Sequence, residues 1–168
     1  KEIKNLIIKK KIKDRNSVVY LPFAYDGRYR DVLLPNKSTL IKKVLFYGSW
    51  DKEREKILSK IKSDKIEIYG NAWHKSSLKF QKNYKIFFKD IYGSELVEKI
   101  REYSACLNIN RKQVKNAHNM RLFEVTGYGG LIITPETSET KSFFKNNKSV
   151  IMYNNLITLK KILKKDFT

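Results

Sequence analysis

Cysteine and histidine are scarce in this chain, and their scarcity excludes whole classes of site. Cys106 is the single cysteine among 168 residues, which rules out an internal disulfide and a cysteine metal cluster. Its apolar neighbours predict an ordinary buried strand position, because a free thiol often packs as a small hydrophobe. Two isolated histidines, His74 and His118, do not make a metal site. We expect both to be exposed loop residues, with a role as general base as the alternative.

Long apolar runs are also missing. No run reaches the ~18 residues that span a bilayer, and the apolar stretch at residues 6–8 is too short for a signal peptide. We therefore expect a cytoplasmic protein. Because the chain does not begin with methionine, we also expect a fragment or a processed product.

Acidic residues are few, since 17 of them face 36 basic residues and leave a net charge of +19. Such a charge can indicate a nucleic-acid or anionic-membrane partner. Only seven of the basic residues are arginine, the side chain that recognises phosphates and bases in bidentate geometry. Lysine occurs in every segment, which favours the interpretation that the net charge reflects a biased amino-acid composition and a solvated surface. Anionic lipid or a polyanionic acceptor is the next interpretation, and nucleic acid is the least favoured partner.

Apolar runs of strand length alternate with amphipathic stretches of helix length from residue 43 onward. Predicted strands lie at 44–47, 66–69, 86–88, 104–109, 131–134 and 150–153. Predicted helices lie at 51–62, 94–103, 120–127, 156–165 and after an N-terminal cap formed by Thr134 and Pro135. Residues 71–83 are predicted to be a polar loop.

This alternation predicts β-α-β units and therefore an α/β fold, a Rossmann-like parallel sheet with helices on both faces. We assign residues 41–168 to that domain. Residues 1–40 are predicted to form a separate amino-terminal segment of helix, strand and linker.

Glycine turns follow two of the predicted strands, at the edge of the sheet where ligands bind in such folds. Backbone N–H groups after Gly48 could hold phosphate oxygens, with Arg54 adding charge. The alternative is a capped turn with Arg54 in solvent. Around Gly70, a base or sugar could stack on the nearby aromatic side chains. The alternative there is packing of Trp73 under a loop.

The most informative stretch is residues 119–130, a turn of helix followed by glycines. Arg121 and Glu124 are three residues apart and share one helix face. Gly129 and Gly130 permit close backbone approach. The functional interpretation is that Glu124 accepts hydrogen bonds from ribose hydroxyls while Arg121 contacts a diphosphate. The alternative is an ordinary surface ion pair.

Two motifs carry a family resemblance, Asn119-Met120-Arg121-Leu122-Phe123-Glu124 and Gly129-Gly130-Leu131-Ile132-Ile133-Thr134. Together they resemble the carboxyl-terminal domain of CgeB-like glycosyltransferases, in the glycosyl transferases group 1 class with the GT-B fold. Weaker matching pieces extend the resemblance over residues 18–165. It implies a domain that binds a nucleotide-diphosphate sugar and transfers the sugar to a hydroxyl of an acceptor glycan, lipid or protein.

The same resemblance implies further properties of the enzyme. No cofactor and no obligatory metal ion are expected. The acceptor would bind a separate amino-terminal domain, so residues 1–168 alone are expected to bind the donor but to turn over poorly. Related retaining enzymes carry a glutamate eight residues before the ribose-binding one, where this chain has Asn116. The contact to the donor sugar and the stereochemical outcome therefore stay open.

The resemblance also implies a donor site without assigning a catalytic residue. Glu124 would hold the ribose, Arg121, Gly48 and Arg54 would lie near the diphosphate, and residues 88–90 would lie near the base. The full predicted set is Gly48, Arg54, Gly70, Phe88, Lys89, Asn110, Arg121, Glu124, Gly129 and Gly130.

Two other classes of function stay open beside the transferase. One is a non-catalytic Rossmann-like binding module, and the other is a basic domain that binds nucleic acid or a membrane surface. The predicted helix at 156–165 favours membrane binding within the second class. Its lysines at 160, 161, 164 and 165 flank apolar residues, as in an interfacial helix at the inner face of the membrane. The alternative is a helix docked on the sheet with its lysines in solvent.

Overall fold

The computed structural model describes residues 21–29, 40–111, 118–144 and 149–167. Their strands are β1 (Ile41–Tyr47), β2 (Ile66–Tyr69), β3 (Lys85–Phe87), β4 (Tyr103–Leu107), β5 (Ile132–Pro135) and β6 (Val150–Tyr153). Their α-helices are α1 (Lys52–Ile61), α2 (Leu78–Asn83), α3 (Gly93–Glu102), α4 (Met120–Gly127), α5 (Ser138–Phe143) and α6 (Leu156–Leu163). Short 3-10 helices occupy Gly27–Tyr29 and Trp73–Lys75.

All six strands are parallel and lie in the order β3-β2-β1-β4-β5-β6. The order reverses between β1 and β4, which creates a crevice at the carboxyl ends of these two strands. Tyr47 lies opposite Tyr69 in the register, so β1 and β2 end side by side at this edge. The predicted parallel α/β sheet is confirmed.

Helices cover both faces of the sheet because successive side chains of each strand point to opposite sides. Along β1, Val44 and Phe46 pack with α1, α2 and α6, whereas Leu45 and Tyr47 pack with α3 and α4. Cys106 is buried in the second cluster, as predicted.

Helix α1 begins at a capped turn directly after β1. The Asp51 carboxylate accepts hydrogen bonds from the backbone N–H groups of Glu53 and Arg54, at 3.0 and 3.3 Å. Such a cap satisfies backbone donors that lack partners within the helix. The helix ends at Lys62 in the left-handed conformation. This cap places Arg54 in the first turn of α1, at the carboxyl edge of the sheet.

Residues 21–29 pack on the outer side of α3 and α4. The Tyr25 and Tyr128 rings meet edge to face at 5.7 Å. Gly127 leaves room for Tyr25, since a Cβ at this glycine would lie 2.4 Å from the tyrosine ring. Phe23 lies beside His118, with ring centroids 5.6 Å apart.

Three local predictions are wrong. Residues 71–83 are not a loop, because Trp73–Lys75 and α2 lie there and the Trp73 and Phe80 rings stack in the core at 5.4 Å. Pro135 ends β5 instead of starting a helix, and the Thr137 hydroxyl caps α5. His118 is buried at 8% exposure rather than exposed, since its ring packs among phenylalanines and pairs with Glu139.

Other predictions lie largely outside the described residues. They are the helix, strand and linker predicted within residues 1–40, of which only residues 21–29 and 40 are described. The boundary between residues 40 and 41 stays a prediction.

In the described parts of the chain, every helix is too short or too polar to cross a membrane. Helix α6 buries Leu159, Ile162 and Leu163 against the sheet, so its apolar side is docked and its lysines at 160, 161, 164 and 165 lie in solvent.

Candidate functional site

A cavity of about 360 Å³ opens at the carboxyl edge of the sheet, beside the reversal of strand order. We call it the arginine cavity. Its lining is Tyr47, Gly48, Ser49, Arg54, Tyr69, Asp90, Ile91, Tyr92, Leu96, Arg111, Asn119, Met120, Arg121 and Glu124. Both its size and its position match those of small-molecule sites in open α/β sheets.

The turn after β1 forms the floor of the cavity. Gly48 has φ of +141°, a conformation that side-chain-bearing residues rarely adopt. A Cβ at this glycine would lie 2.6 Å from Arg121 Nη2 and 3.3 Å from Arg54 Nη1. The missing side chain therefore lets both guanidinium groups approach the turn.

Two backbone donors of this turn are already occupied. The Gly48 N–H donates to the Tyr69 carbonyl at 2.8 Å, and the Trp50 N–H donates to the Asn71 carbonyl at 3.0 Å. These two N–H groups are therefore not free to hold a phosphate in this structure, and the phosphate contact of the turn stays a prediction. Positive charge in the cavity comes instead from side chains.

Arg54 is buried at 3% exposure, so the alternative of a solvated Arg54 is wrong. Its Nη1 donates to the Ser49 carbonyl at 2.9 Å, and its Nε has no hydrogen-bond partner among the described residues. Burial, followed by repulsion from Arg121 and Arg111, lowers the pKa of Arg54 to about 10. The site therefore gathers positive charge that lacks full compensation.

Tyr47 holds Arg121 and Glu124 in place. Arg121 Nε donates to the Tyr47 carbonyl at 3.0 Å, and its guanidinium lies 5.0 Å from the centre of the Tyr47 ring. The Tyr47 hydroxyl donates to Glu124 Oε2 at 3.3 Å. The arginine and glutamate therefore form part of a cavity wall rather than an isolated surface pair.

Glu124 is a half-buried carboxylate. Burial raises its pKa above the ordinary value, while the hydrogen bond from Tyr47 and the charge of Arg121 act in the opposite direction. A carboxylate oxygen in this position can accept hydrogen bonds from ligand hydroxyls.

The loop between β3 and α3 forms the opposite wall. Asp90 is anchored by Asn71, whose backbone N–H and Nδ2 donate to its carboxylate at 3.1 and 2.6 Å. Ile91 is buried, and Tyr92 is 74% exposed at the mouth of the cavity. This wall offers an apolar surface and an aromatic ring to a flat ligand group.

An asparagine cluster supports the start of α4. Asn119 Nδ2 donates to Asn108 Oδ1 at 2.8 Å and to Asn110 Oδ1 at 2.9 Å. Asn119 lines the arginine cavity, whereas Asn110 lies behind it. This network joins the end of β4 to the helix that carries Arg121 and Glu124.

Four predicted site residues come together in the cavity: Gly48, Arg54, Arg121 and Glu124. Gly70 lies directly behind the floor, since a Cβ there would be 2.2 Å from the Gly48 carbonyl oxygen. Gly70 itself does not line the cavity, and neither do the predicted residues Phe88, Lys89, Asn110, Gly129 and Gly130. The ligand roles of all ten remain predictions.

Several of the residues outside the cavity have other contacts. Phe88 is 57% exposed, and Lys89 pairs with Glu95. Gly130 packs tightly, because a Cβ there would lie 2.5 Å from Ile100 Cγ2. Trp73 is fully buried, which confirms packing as its role.

Sequence reasoning did not assign Tyr47, Tyr92, Arg111 and Asn119 to the site. Tyr47 is the last residue of β1, and this position at a strand's carboxyl end was the available signal. Arg111 and Tyr92 lie in loops that follow strands at the same edge, but nothing in their local pattern separates them from other surface residues.

One family model matches the chain. The glycosyl transferase-like family matches residues 36–166, which is more than half of the chain and includes every residue that lines the arginine cavity. No curated protein and no solved structure matches the chain.

Proposed function

Because this chain belongs to the glycosyl transferase-like family, we propose that the arginine cavity binds the nucleotide-diphosphate part of a sugar donor. The domain would then be the donor-binding half of a GT-B enzyme that transfers a sugar to an acceptor hydroxyl. Family membership supports sugar transfer in general, and the charged side chains of the arginine cavity support a nucleotide-diphosphate sugar as the donor.

The observation that carries the proposal is the cluster of three arginines in the cavity, centred on the buried Arg54. Arg54 is almost fully buried, and its Nε lacks a partner among the described residues. Burial, followed by repulsion from two further arginines, lowers its pKa. The cavity lining holds three guanidinium groups and two carboxylates, Asp90 and Glu124, and a partly buried excess of positive charge is costly in a protein. A diphosphate would offset that cost, since its oxygens accept several charge-assisted hydrogen bonds.

The remaining walls accommodate the rest of a nucleotide. Glu124 lies beside Arg121 and suits ribose hydroxyls, which donate hydrogen bonds to a carboxylate. The apolar wall at Ile91 and Tyr92 suits a nucleobase. A polyanionic nucleic-acid backbone would meet Glu124 and Asp90 as like charges, which favours a single nucleotide over a nucleic acid.

The arginines also suit the chemistry of transfer. The bond between the anomeric carbon and the diphosphate oxygen breaks, and the acceptor hydroxyl oxygen bonds to that carbon and loses its proton. Negative charge grows on the departing diphosphate, and fixed guanidinium groups stabilise such charge. We propose that Arg54 and Arg121 do this without an obligatory metal ion, so added EDTA should leave nucleotide affinity unchanged.

Calorimetric titration with UDP, GDP, ADP, CDP and inorganic pyrophosphate tests the proposal. We expect one nucleoside diphosphate to bind and pyrophosphate to compete with it. Arg121→Gln should weaken binding by about 10- to 100-fold, the effect of losing one charge-assisted hydrogen bond. Arg28→Gln removes the same charge from an exposed side chain outside the cavity, and should leave the affinity unchanged.

The ribose contact has its own test. Wild type should prefer the ribonucleotide over its 2′,3′-dideoxy analogue, and Glu124→Gln should reduce that preference. Two results would contradict the proposal and favour a non-catalytic Rossmann-like module. One is an equal loss of nucleotide affinity in Arg121→Gln and Arg28→Gln, and the other is no binding of any nucleotide.

A further inference from the structure

A lysine-rich surface lies at the amino edge of the sheet, opposite the arginine cavity. It consists of two adjoining hollows that share Lys65. The first is lined by Lys62, Lys65, Lys160 and Lys164. The second is lined by Lys42, Lys43, Lys65 and Lys165. We call these seven lysines the lysine face.

The fold brings these residues together from separate parts of the chain. Lys42 and Lys43 follow Ile41 at the start of β1, and Lys62 and Lys65 flank the turn between α1 and β2. The other three lysines lie in the last turn of α6 or follow it. Cations at the carboxyl end of a helix also interact favourably with its dipole. The concentration of charge is therefore a product of topology and not of one basic run.

Little negative charge opposes these lysines. The only acidic residues that line the two hollows within the described chain are Asp64 and Asp166, which leaves seven positive and two negative charges. Asp166 pairs with Lys65 at 2.9 Å. Lys62, Lys160 and Lys164 are exposed, and among the described residues no acidic side chain forms an ion pair with them.

We propose that the lysine face binds the surface of an anionic lipid bilayer. Lysines near such a surface are each attracted by its negative potential, without any fixed partner geometry. The apolar side of α6 is buried in the core, so contact would be electrostatic and would not require the helix to insert.

Other partners fit the surface less well. Protein interfaces usually need a buried aromatic or apolar anchor, and the apolar residues of the first hollow, Ile61 and Leu163, are already buried. Nucleic-acid sites favour arginine and stacked aromatics. The described lining of the two hollows contains no arginine, and its aromatic ring, Phe167, packs against the core.

This orientation separates the two surfaces. With the amino edge of the sheet on the bilayer, the arginine cavity at the carboxyl edge faces the aqueous phase. A soluble ligand could then enter the cavity while the protein stays bound to the membrane. The inference does not depend on what the cavity binds.

Vesicle co-sedimentation of the full chain tests the proposal. Vesicles of phosphatidylcholine with phosphatidylglycerol should bind the protein, and vesicles of phosphatidylcholine alone should not. The triple variant Lys62→Gln, Lys160→Gln, Lys164→Gln should weaken binding by roughly 100-fold, since each lysine near the surface contributes about fivefold. The single variants should each lose about fivefold, which provides a test should the triple fail to fold.

A matched control removes three charges elsewhere. Lys56, Lys75 and Lys79 are exposed and line neither hollow, so changing all three to Gln should leave most of the vesicle binding. Equal losses in the two triples, or no binding to anionic vesicles, would overturn the proposal. Binding of duplex DNA at physiological salt that is lost in the same lysine-face triple, without a vesicle effect, would assign the face to nucleic acid instead.

Discussion

Single residues of the arginine cavity combine burial with charge in an unusual way. Arg54 and Glu124 both lose part of their hydration, which lowers the pKa of Arg54 and raises the pKa of Glu124. Each shift favours the neutral form of the side chain. Groups that disfavour folding in this manner often mark functional sites, because their cost is recovered when a ligand binds. The sequence spacing of Arg121 and Glu124 placed them on one face, but only the structure shows that Tyr47 holds both.

Glu124 leads to a prediction on pH. Burial raises its pKa in the folded protein above the ordinary value of 4.5, so the folded state holds the proton more tightly than the unfolded state. The contribution of Glu124 to the free energy of unfolding should therefore fall as pH rises from 4.5 through the folded pKa. Glu124→Gln lacks this titration and should melt at a higher temperature than wild type at pH 7.

The advantage of Glu124→Gln should shrink as the pH is lowered through the folded pKa toward 4.5, and it should be lost below 4.5, where the wild-type carboxyl is protonated in both states. Thermal melts across this range measure it. Glu98→Gln changes an exposed glutamate on α3 and should show no such trend. A variant that is less stable than wild type at pH 7 would show that the hydrogen bond from Tyr47 outweighs the burial cost.

At the scale of elements, the turns after β1 and β2 are packed against each other. The Gly48 carbonyl accepts a hydrogen bond from Trp73 Nε1 at 2.9 Å, and Gly70 has φ of +153°. The strands end side by side, so no side chain fits between their turns.

The predicted helices around 51–62 and 94–103 were confirmed because their apolar stripes are long and regular. Residues 71–83 were mistaken for a loop because α2 is short and its buried anchor, Phe80, stands among polar residues.

This packing predicts a large cost for Gly70→Ala. Its Cβ would lie 2.2 Å from the Gly48 carbonyl oxygen, and the backbone conformation is itself strained for alanine. We expect a loss of about 3 kcal/mol or more in the free energy of unfolding, measured by urea denaturation.

Gly129→Ala is the matched control for Gly70→Ala. Gly129 also has a positive φ, of +85°, but no heavy atom lies within 4 Å of its would-be Cβ. Conformational strain alone should cost about 1–2 kcal/mol. If the two variants lose the same stability, the close approach of the two turns does not contribute.

At the scale of the whole molecule, the two candidate surfaces occupy opposite edges of one sheet. The arginine cavity collects residues that follow the strands, and the lysine face collects residues that precede them or end the helices. Parallel topology enforces this separation, because every strand runs in the same direction. The net charge of +19 is thus distributed unevenly.

Independent action of the two surfaces follows from this separation. The triple variant of the lysine face should bind the nucleotide as wild type does, within about twofold, since distant sites are additive. Arg121→Gln should in turn leave vesicle binding within the same limit. Both titrations should be run at ~0.15 M salt, where screening beyond ~8 Å suppresses general charge effects. A change larger than about fivefold in either cross-test would show that the surfaces are coupled.

The sequence by itself determined the fold class and most elements, and it directed attention to the stretch around Arg121 and Glu124, which lines the cavity. Apolar periodicity and glycine turns are local properties, because each depends only on residues that are close in sequence. Tertiary structure decided which charges meet. Arg54 is distant in sequence from Arg111 and Arg121, and their convergence depends on the reversal of strand order between β1 and β4. The lysine face likewise exists only because parallel strands bring their starting residues to one edge.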